Sequence, residues 1–179
     1  PVESTIMVGP NLWIGIAALQ YEHRVKDGKF VPLARRIGDW AIRWQDYEGG
    51  LKGGPGYRWY STEHHLDGYA FFSMLYQVTK DEKYKAAQDK TLAWIRKYAY
   101  SVKEKRVNRG KGDATIATDT FSWSIAALRP AILKRIEFDP EAIMDFAEQH
   151  CEVTVTYKQP NGKIAQARGM IGEDRGLAT

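Results

Sequence analysis

The sequence predicts an all-α repeat fold: three consecutive αα-hairpins forming part of an (α/α)6-type toroid, with a small β-hairpin near the C-terminus. Three observations carry this reading. First, Lys26-Asp27-Gly28-Lys29-Phe30 opens a helical segment bearing Trp40, and Lys80-Asp81-Glu82-Lys83-Tyr84 opens another bearing Trp94, 54 residues on in both cases. A weaker third copy places Phe138 at the same interval past Tyr84, and Gly15-Ile16-Ala17-Ala18-Leu19, Gly68-Tyr69-Ala70-Phe71-Phe72 and Ser124-Ile125-Ala126-Ala127-Leu128 repeat at intervals of 53 and 56. Second, connections within each pair of segments are short, as between Thr79 and Asp81, while those between pairs are long, near 47–61 and 99–118. Short connections make antiparallel neighbours, and long ones in a compact repeat emerge on one face, where loops are commonly functional. Third, the leading segment of each pair is apolar on all sides, as in Ala70-Phe71-Phe72-Ser73-Met74-Leu75-Tyr76, and the trailing one is amphipathic, with Arg35, Arg36, Asp39 and Arg43 outside. A buried inner helix and an amphipathic outer one describe a toroid wall. The period is too long for tetratricopeptide repeats, which recur at ~34 residues, and awkward for HEAT repeats at ~40–47.

Six helices follow in order. The first runs from about Asn11 to Arg24. The second runs from about Pro32 to Asp46, with Pro32 at a tolerated first-turn position and Leu33, Ile37, Trp40, Ala41 and Trp44 at helical spacing. A glycine-rich loop (Gly49, Gly50, Gly53, Gly54, Gly56) leads to the third, which starts near Ser61 or Thr62, either able to cap it. Asp81 caps the fourth, which ends near Tyr98. The fifth starts near Asp119 and is kinked or ended around Pro130. The sixth opens at Asp139-Pro140 and reaches Cys151. Beyond it Val153, Val155 and Tyr157 alternate with Thr154 and Thr156, and Pro160-Asn161-Gly162 is a turn signal, so residues 152–168 read as a β-hairpin appended to one domain spanning 1–179. The tail from Gly169 to Thr179 reads as irregular. The chain opens on Pro1 and breaks off after a glycine-containing tail, which reads as a fragment or processed piece. Three hairpins are half of a six-hairpin ring, completed by missing chain or by self-association.

Composition narrows the function. Six Trp and ten Tyr in 179 residues with mixed charges describe a packed globular chain, and a net charge of +4 does not by itself imply nucleic acid. The densest basic stretch, Lys103 to Lys111, is a solvated loop or an electropositive rim. The single Cys151 excludes an internal disulfide and a cysteine zinc site, and reads as a packed small hydrophobe. No apolar run approaches the ~20 residues that span a bilayer.

Superposing the inner helices on Gly15, Gly68 and Ser124 brings Pro10, Glu63 and Asp119 to one level, and Asn11, His64 and Thr120 to the next. These are helix starts, where partial positive charge favours carboxylates; a capping or dipole role for Asp119 and Glu63 is the plain alternative. The stretch Tyr57-Arg58-Trp59-Tyr60-Ser61-Thr62-Glu63-His64-His65-Leu66-Asp67 gathers two carboxylates, two imidazoles and three aromatics beside the glycine-rich loop. Glu63 and Asp67 share a helical face. Asp67 falls on a helix meant for burial and needs a partner, with His64, Arg58 or a ligand hydroxyl as candidates. Paired carboxylates flanked by aromatic platforms suit glycosidic-bond chemistry, with carboxyl separations of ~5–5.5 Å for retention or ~6.5–9.5 Å for inversion. Glu63 is expected as general acid and Asp119 as base or water-positioning group, with Asp67 and His64 tuning or orienting them. Asn11, Trp13, Arg58, Trp59, Tyr60 and Trp123 are expected to contact sugar, whereas Trp40, Trp44 and Trp94 read as core. His64 and His65 point about 100° apart on a helix and do not chelate together, so no metal or other cofactor is expected.

The run Ser61-Thr62-Glu63-His64-His65-Leu66-Asp67 through Phe72, with Gly9-Pro10-Asn11 before it and Thr118-Asp119-Thr120 after, resembles the six-hairpin glycosidase-like α/α-toroid proteins of bacteria. The resemblance covers most of residues 5–150. It implies a carbohydrate-active or carbohydrate-binding toroid with its site at the inner-helix mouth and an extracytoplasmic location. No matched residue assigns the acid or base. Two alternatives remain: a non-catalytic carbohydrate-binding or scaffold toroid, and a prenyltransferase or terpene-cyclase-like toroid. The second is suggested by Gln45-Asp46-Tyr47-Glu48-Gly49-Gly50-Leu51 with His65-Leu66-Asp67, but that glycine pair occurs once and no Asp-x-Asp-Asp motif is present.

Overall fold

The computed structural model describes residues 5–172, so the tail expectation for 173–179 lies outside the described residues. Among them are six helices, α1 (Val8–Val25), α2 (Val31–Ile42), α3 (Thr62–Thr79), α4 (Glu82–Tyr98), α5 (Thr118–Arg135) and α6 (Pro140–Cys151). Four strands accompany them: β1 (Tyr100–Ser101) and β2 (Arg106–Val107) between α4 and α5, then β3 (Glu152–Lys158) and β4 (Ile164–Met170) after α6. The helices pair as α1–α2, α3–α4 and α5–α6, and α3 packs against both α1 and α5, so the inner helices stand side by side. Two apolar cores result, one between the first two hairpins and one between the last two.

The sequence repeat has a backbone cause. Lys26 and Lys80 both take the left-handed conformation (φ 58° and 55°), and each amide donates to the carbonyl four residues back, Glu22 and Tyr76, which closes the inner helix. In the third copy Glu137 has φ 68°. The outer helix then restarts on an aspartate cap in two copies: Asp81 accepts from the Lys83 amide and Asp139 from the Ala142 amide. α2 has no side-chain cap and relies on Pro32 in its first turn.

Boundaries differ from the sequence expectation where tertiary contacts decide them. α1 starts at Val8 rather than Asn11 because the Val8 amide donates to the Gly53 carbonyl across the chain. α2 stops at Ile42, and residues 43–46 turn away to pair Gln45 with Leu51. Ser61 sits at the cap position of α3 but its hydroxyl caps nothing; the Thr62 amide instead donates to the Arg109 carbonyl. α5 does break at Pro130, with Arg129 at φ 61°, ψ 153°. The terminal hairpin forms in the register Glu152↔Met170 to Lys158↔Ile164, so β4 runs to Met170, beyond the residue 168 expected. No described helix is long and apolar enough to cross a membrane.

Inner-helix contact is close enough to require glycine. A Cβ on Gly15 would lie 2.3 Å from the Phe71 ring, and Phe71 is fully buried. Alanine has the higher helix propensity by about 1 kcal/mol, but overpacking a closed core costs about 1–3 kcal/mol. Gly15→Ala is therefore expected to lower the urea midpoint with an unchanged m-value, and an equal or higher midpoint would refute this account of the α1–α3 contact.

Candidate functional site

The starts of α1, α3 and α5 meet two loops, residues 43–61 and 99–117. The first loop is tied by Asp46, whose Oδ1 accepts from the Glu48 and Gly50 amides at 2.9 and 2.8 Å and whose Oδ2 accepts from the Tyr60 hydroxyl at 2.7 Å. That hydrogen bond and burial push the Tyr60 hydroxyl up to about 12, burial being the larger cause. His65 pins the same loop from below. Its Nε2 accepts from the Leu51 amide at 2.8 Å, so its Nδ1–H donates to the Ser61 carbonyl at 2.6 Å, and its ring stacks on Trp94 at 3.4 Å. Burial drives the His65 pKa down to about 3, which keeps the imidazole neutral with one donor and one acceptor, as both bonds require. The Asp46-to-Leu51 stretch thus does structural work.

The second loop is joined to the first by Glu48. Its carboxylate accepts from Lys97 at 2.7 Å, the Tyr98 hydroxyl at 2.6 Å and Lys111 at 3.2 Å, which together hold it down at about 2. Lys111 also lies 4.1 Å from the Tyr98 ring centroid. Elsewhere the basic stretch is not simply solvated: Arg106 is buried, pairs with Glu104 at 2.7 Å and packs over Phe146.

Between the loops and the helix starts lies a cleft of about 460 Å³, walled by Pro10 of α1, Glu63 and His64 of α3, Trp59 and Tyr60 of the first loop, and Arg109, Lys111 and Asp113 of the second. Its volume falls in the ~300–1,000 Å³ range of ligand sites. Glu63 is half-buried there. Burial raises its carboxyl above the usual range, the Asp119 charge raises it further, and Arg109 acts in the opposite direction. Asp119 stands in the first turn of α5, its Oδ1 accepting from the Thr120 amide at 2.6 Å. His64 is buried against Gly9, where a Cβ would come within 2.5 Å of the imidazole, and lies 5.2 Å from Trp59 between ring centroids. Its Nδ1 has no partner, and burial lowers its pKa to about 4. Gly9, singled out beside Pro10 and Asn11, therefore makes room for His64.

Asp67 lies one turn below Glu63. It is 6% exposed, with Oδ2 buried and unpartnered. Burial and then the Glu63 charge raise its carboxyl to about 7, opposed by the nearby Trp13 indole. Neither His64 nor Arg58 hydrogen-bonds to it. Trp13 is exposed and touches Trp123 of α5. Asn11 turns inward, donating to the Met7 carbonyl at 2.8 Å within the first turn of α1. Arg58 is exposed beside Trp59 and does not wall the cleft. Trp94 is fully buried, and Trp40 and Trp44 pack on the first core. Sequence reasoning held Arg109 and Lys111 only as members of a basic stretch and missed Asp113. Gly110 brings that loop in, since a Cβ there would lie 2.4 Å from the Tyr60 carbonyl, but nothing in the sequence pairs residue 110 with residue 61. Among the described residues no group of three or more His, Cys, Asp or Glu is placed to hold a metal ion.

Solved structures of similar shape can now be set beside this geometry. A family 76 glycoside hydrolase (mannosidase) from Bacteroides thetaiotaomicron superposes with a TM-score of 0.65 at 11% identity, over 90% of this chain and 48% of that one. The fold is that of part of an α/α toroid. A family 76 enzyme from a bovine strain of the same species gives 0.66 at 12% identity, over 89% of this chain and 38% of that one. An inactive α-1,6-mannanase variant from Salegentibacter, bearing two aspartate-to-asparagine changes at successive positions and bound to α-1,6-mannotriose, gives 0.62 at 14% identity over 74% and 42%. At these identities the likeness is one of fold. The toroid chain described here spans under half the length of each of these structures. No family model matches it, and no curated protein is similar to it in sequence. Its sequence contains no two successive aspartates.

Two predictions follow the electrostatics. His65→Leu leaves the Leu51 amide without its acceptor, at a cost of about 1–3 kcal/mol, and should lower the urea midpoint accordingly; an unchanged midpoint would remove His65 as the pin of the loop. For pH, the native Asp67 carboxyl releases its proton near 7 against an ordinary value of 3.8, so between those values the native state holds the extra proton and stability falls as pH rises. His64 and His65 have depressed values against an ordinary 6.5, so the unfolded state protonates first and stability falls as pH drops below that value. Asp67→Asn removes only the first effect. Relative to the parent it should gain stability progressively from about pH 4 to 7, by on the order of 2–4 kcal/mol, and hold the gain above. A pH-independent difference in denaturation would contradict this assignment.

Proposed function

We propose that this chain is the half-ring of a glycoside hydrolase-like toroid that binds an oligosaccharide at the inner-helix mouth and cleaves a glycosidic bond by acid–base chemistry. The observation that carries the reading is Glu63, which lines a cleft walled by Trp59 and Tyr60 and whose carboxyl is raised by burial and by the charge of Asp119 on the next inner helix. A pair of neighbouring carboxyl groups is what bond cleavage at a sugar acetal uses. Glu63, whose carboxyl burial and then Asp119 raise above the usual range, takes the role of acid that delivers a proton to the leaving oxygen. Asp119, at the start of α5, takes the base or water-positioning role. His64, neutral and buried behind Glu63, and Asp67, one turn deeper, orient the pair. Trp59 and Tyr60 offer rings to sugar faces, with Asn11 and Arg58 at the periphery. Completion of the ring, by further chain or by a second copy, belongs to this reading, as do a bacterial origin and an extracytoplasmic location. The α-1,6-mannotriose held by the Salegentibacter relative makes α-linked mannooligosaccharides the first substrates to try.

The non-catalytic alternative uses the same cleft for binding alone. The isoprenoid alternative requires a mouth lined by aromatics without converging carboxylates, and the coupling of Glu63 to Asp119 speaks against it. On the complete protein, Glu63→Gln and Asp119→Asn should each reduce hydrolysis of a responsive glycan at least ~10²-fold while leaving the thermal midpoint within a few degrees. Turnover at the parental rate in both variants would eliminate these roles. Sugar binding that survives both changes, in a parent that hydrolyses nothing across a glycan panel, would establish the binding-module alternative.

A further inference from the structure

The hairpin after α6 has no part in the cleft. A two-stranded hairpin is marginally stable by itself. This one is fastened at its base, where the Ile171 amide donates to the Cys151 carbonyl and the Thr118 amide to the Gly172 carbonyl. Beyond that base it stands clear: residues 154–158 are all exposed, Val155 by 55% and Tyr157 by 47%. The register decides which backbone groups point outward. Bonded and non-bonded pairs alternate along an antiparallel ladder. An amide-to-carbonyl bond of 2.8 Å joins Ile171 to Cys151 at one end and Gln159 to Lys163 at the other, so the bonded residues of β3 are the odd-numbered ones. The amides and carbonyls of Thr154, Thr156 and Lys158 therefore point away from β4, and among the described residues no backbone group meets them. Native sheet edges are blunted by proline, a bulge or a charge in mid-strand. Val153 to Tyr157 has no charge and no proline, and its pairing with β4 is unbroken.

We propose that β3 pairs with β3 of a second copy of this chain, antiparallel about a two-fold axis at Val155, so that two hairpins make one four-stranded sheet. This contact is separate from the closing of the ring and does not rest on the glycan reading. The outward groups belong to even-numbered residues, so even must face even, and the axis at Val155 is the register that pairs all seven residues of the strand. It sets Glu152 against Lys158, Val153 against Tyr157, Thr154 against Thr156, and Val155 against its own copy. Opposite charges, a β-branched residue against an aromatic ring and facing threonines are the cross-strand pairs that stabilise antiparallel strands. The charges select the register. Lys158 has no ion pair among the described residues, and Glu152, already paired with Arg168 of β4, would gain a second cation. A slip of two residues sets Lys158 against His150 or Glu152 against Pro160 and loses both intercopy ion pairs. A slip of one residue turns the valines to the opposite face. The β4 edge is the poorer choice, since Ala165, Ala167 and Gly169 offer little side chain to a facing strand.

Sedimentation of the complete protein should show a mass that doubles as concentration rises. Thr156→Pro removes an outward amide that bonds nothing within the hairpin, so it should abolish the dimer while leaving the thermal midpoint near that of the parent at low concentration. Lys158→Glu and Glu152→Lys should each weaken the dimer about tenfold or more, because each sets like charges face to face at both ends of the strand pair. An equimolar mixture of these two variants should associate again, since opposite charges meet in the mixed dimer, and this rescue shows that both are folded. Mild oxidation should link Val155→Cys chains covalently, because residues facing in a non-bonded pair lie about 4.5 Å apart at Cα. It should leave Thr154→Cys chains unlinked, with the buried Cys151 silent in both. A monomer at every concentration overturns the proposal, as does a dimer that survives Thr156→Pro. Mixed charge variants that stay apart, or Thr154→Cys linking as readily as Val155→Cys, overturn the register.

Discussion

The structure depends on how the free amides at the start of each inner helix are satisfied. A helix leaves its first amides without intrahelical partners, and burying them unpaired is costly. In all three hairpins the answer is the same: the Val8 amide donates to Gly53, the Thr62 amide to Arg109, and the Thr118 amide to Gly172, each a carbonyl in chain that returns after the outer helix of that hairpin. Thr118 adds its hydroxyl to the Ile171 carbonyl. None of the three inner helices uses a side-chain cap. The returning chain is thereby drawn to the inner-helix mouth in every repeat, which is why the long loops collect there.

That arrangement sets the chemistry of the mouth. The loops remove water from the helix starts, so groups placed there are desolvated without being sealed. Glu63 and Asp67 rise in proton affinity and His64 falls, with burial the leading cause each time. The loops are themselves held by polar ties: Asp46 beneath the first, His65 between that loop and α3, Glu48 bridging to Lys111 in the second. These ties set the cleft-facing residues, Trp59 and Glu63 among them, on a braced frame, the condition for a pre-organised site.

Part of this was legible in the chain because it is local. The periodic Lys-Asp pairs mark left-handed helix ends, Asp81 and Asp139 restart the next helices, Pro130 interrupts α5, and alternation after Cys151 produces a hairpin. Each is decided by a residue and its near neighbours. The level shared by Glu63 and Asp119 was also readable, because repeat superposition carries one helix start onto the next. The surroundings of Asp67 were not. The sequence offered His64 and Arg58 as partners, whereas the folded chain buries the carboxyl with its Oδ2 unpaired. His65 gave no sign of its role, since only a folded loop presents the Leu51 amide to it.

By itself the sequence determined the helix order, the pairing into hairpins and which helices lie inside, since these follow from hydrophobic period, caps and connection length. Only the tertiary structure decided where the inner helices begin, which second-loop residues join the cleft, and which of two adjacent histidines braces the frame and which faces the site. The physical reason is range. Propensity and patterning act over a turn or two of chain, whereas hydrogen bonding of a buried amide and desolvation of a carboxyl depend on whatever distant segment occupies the space beside them.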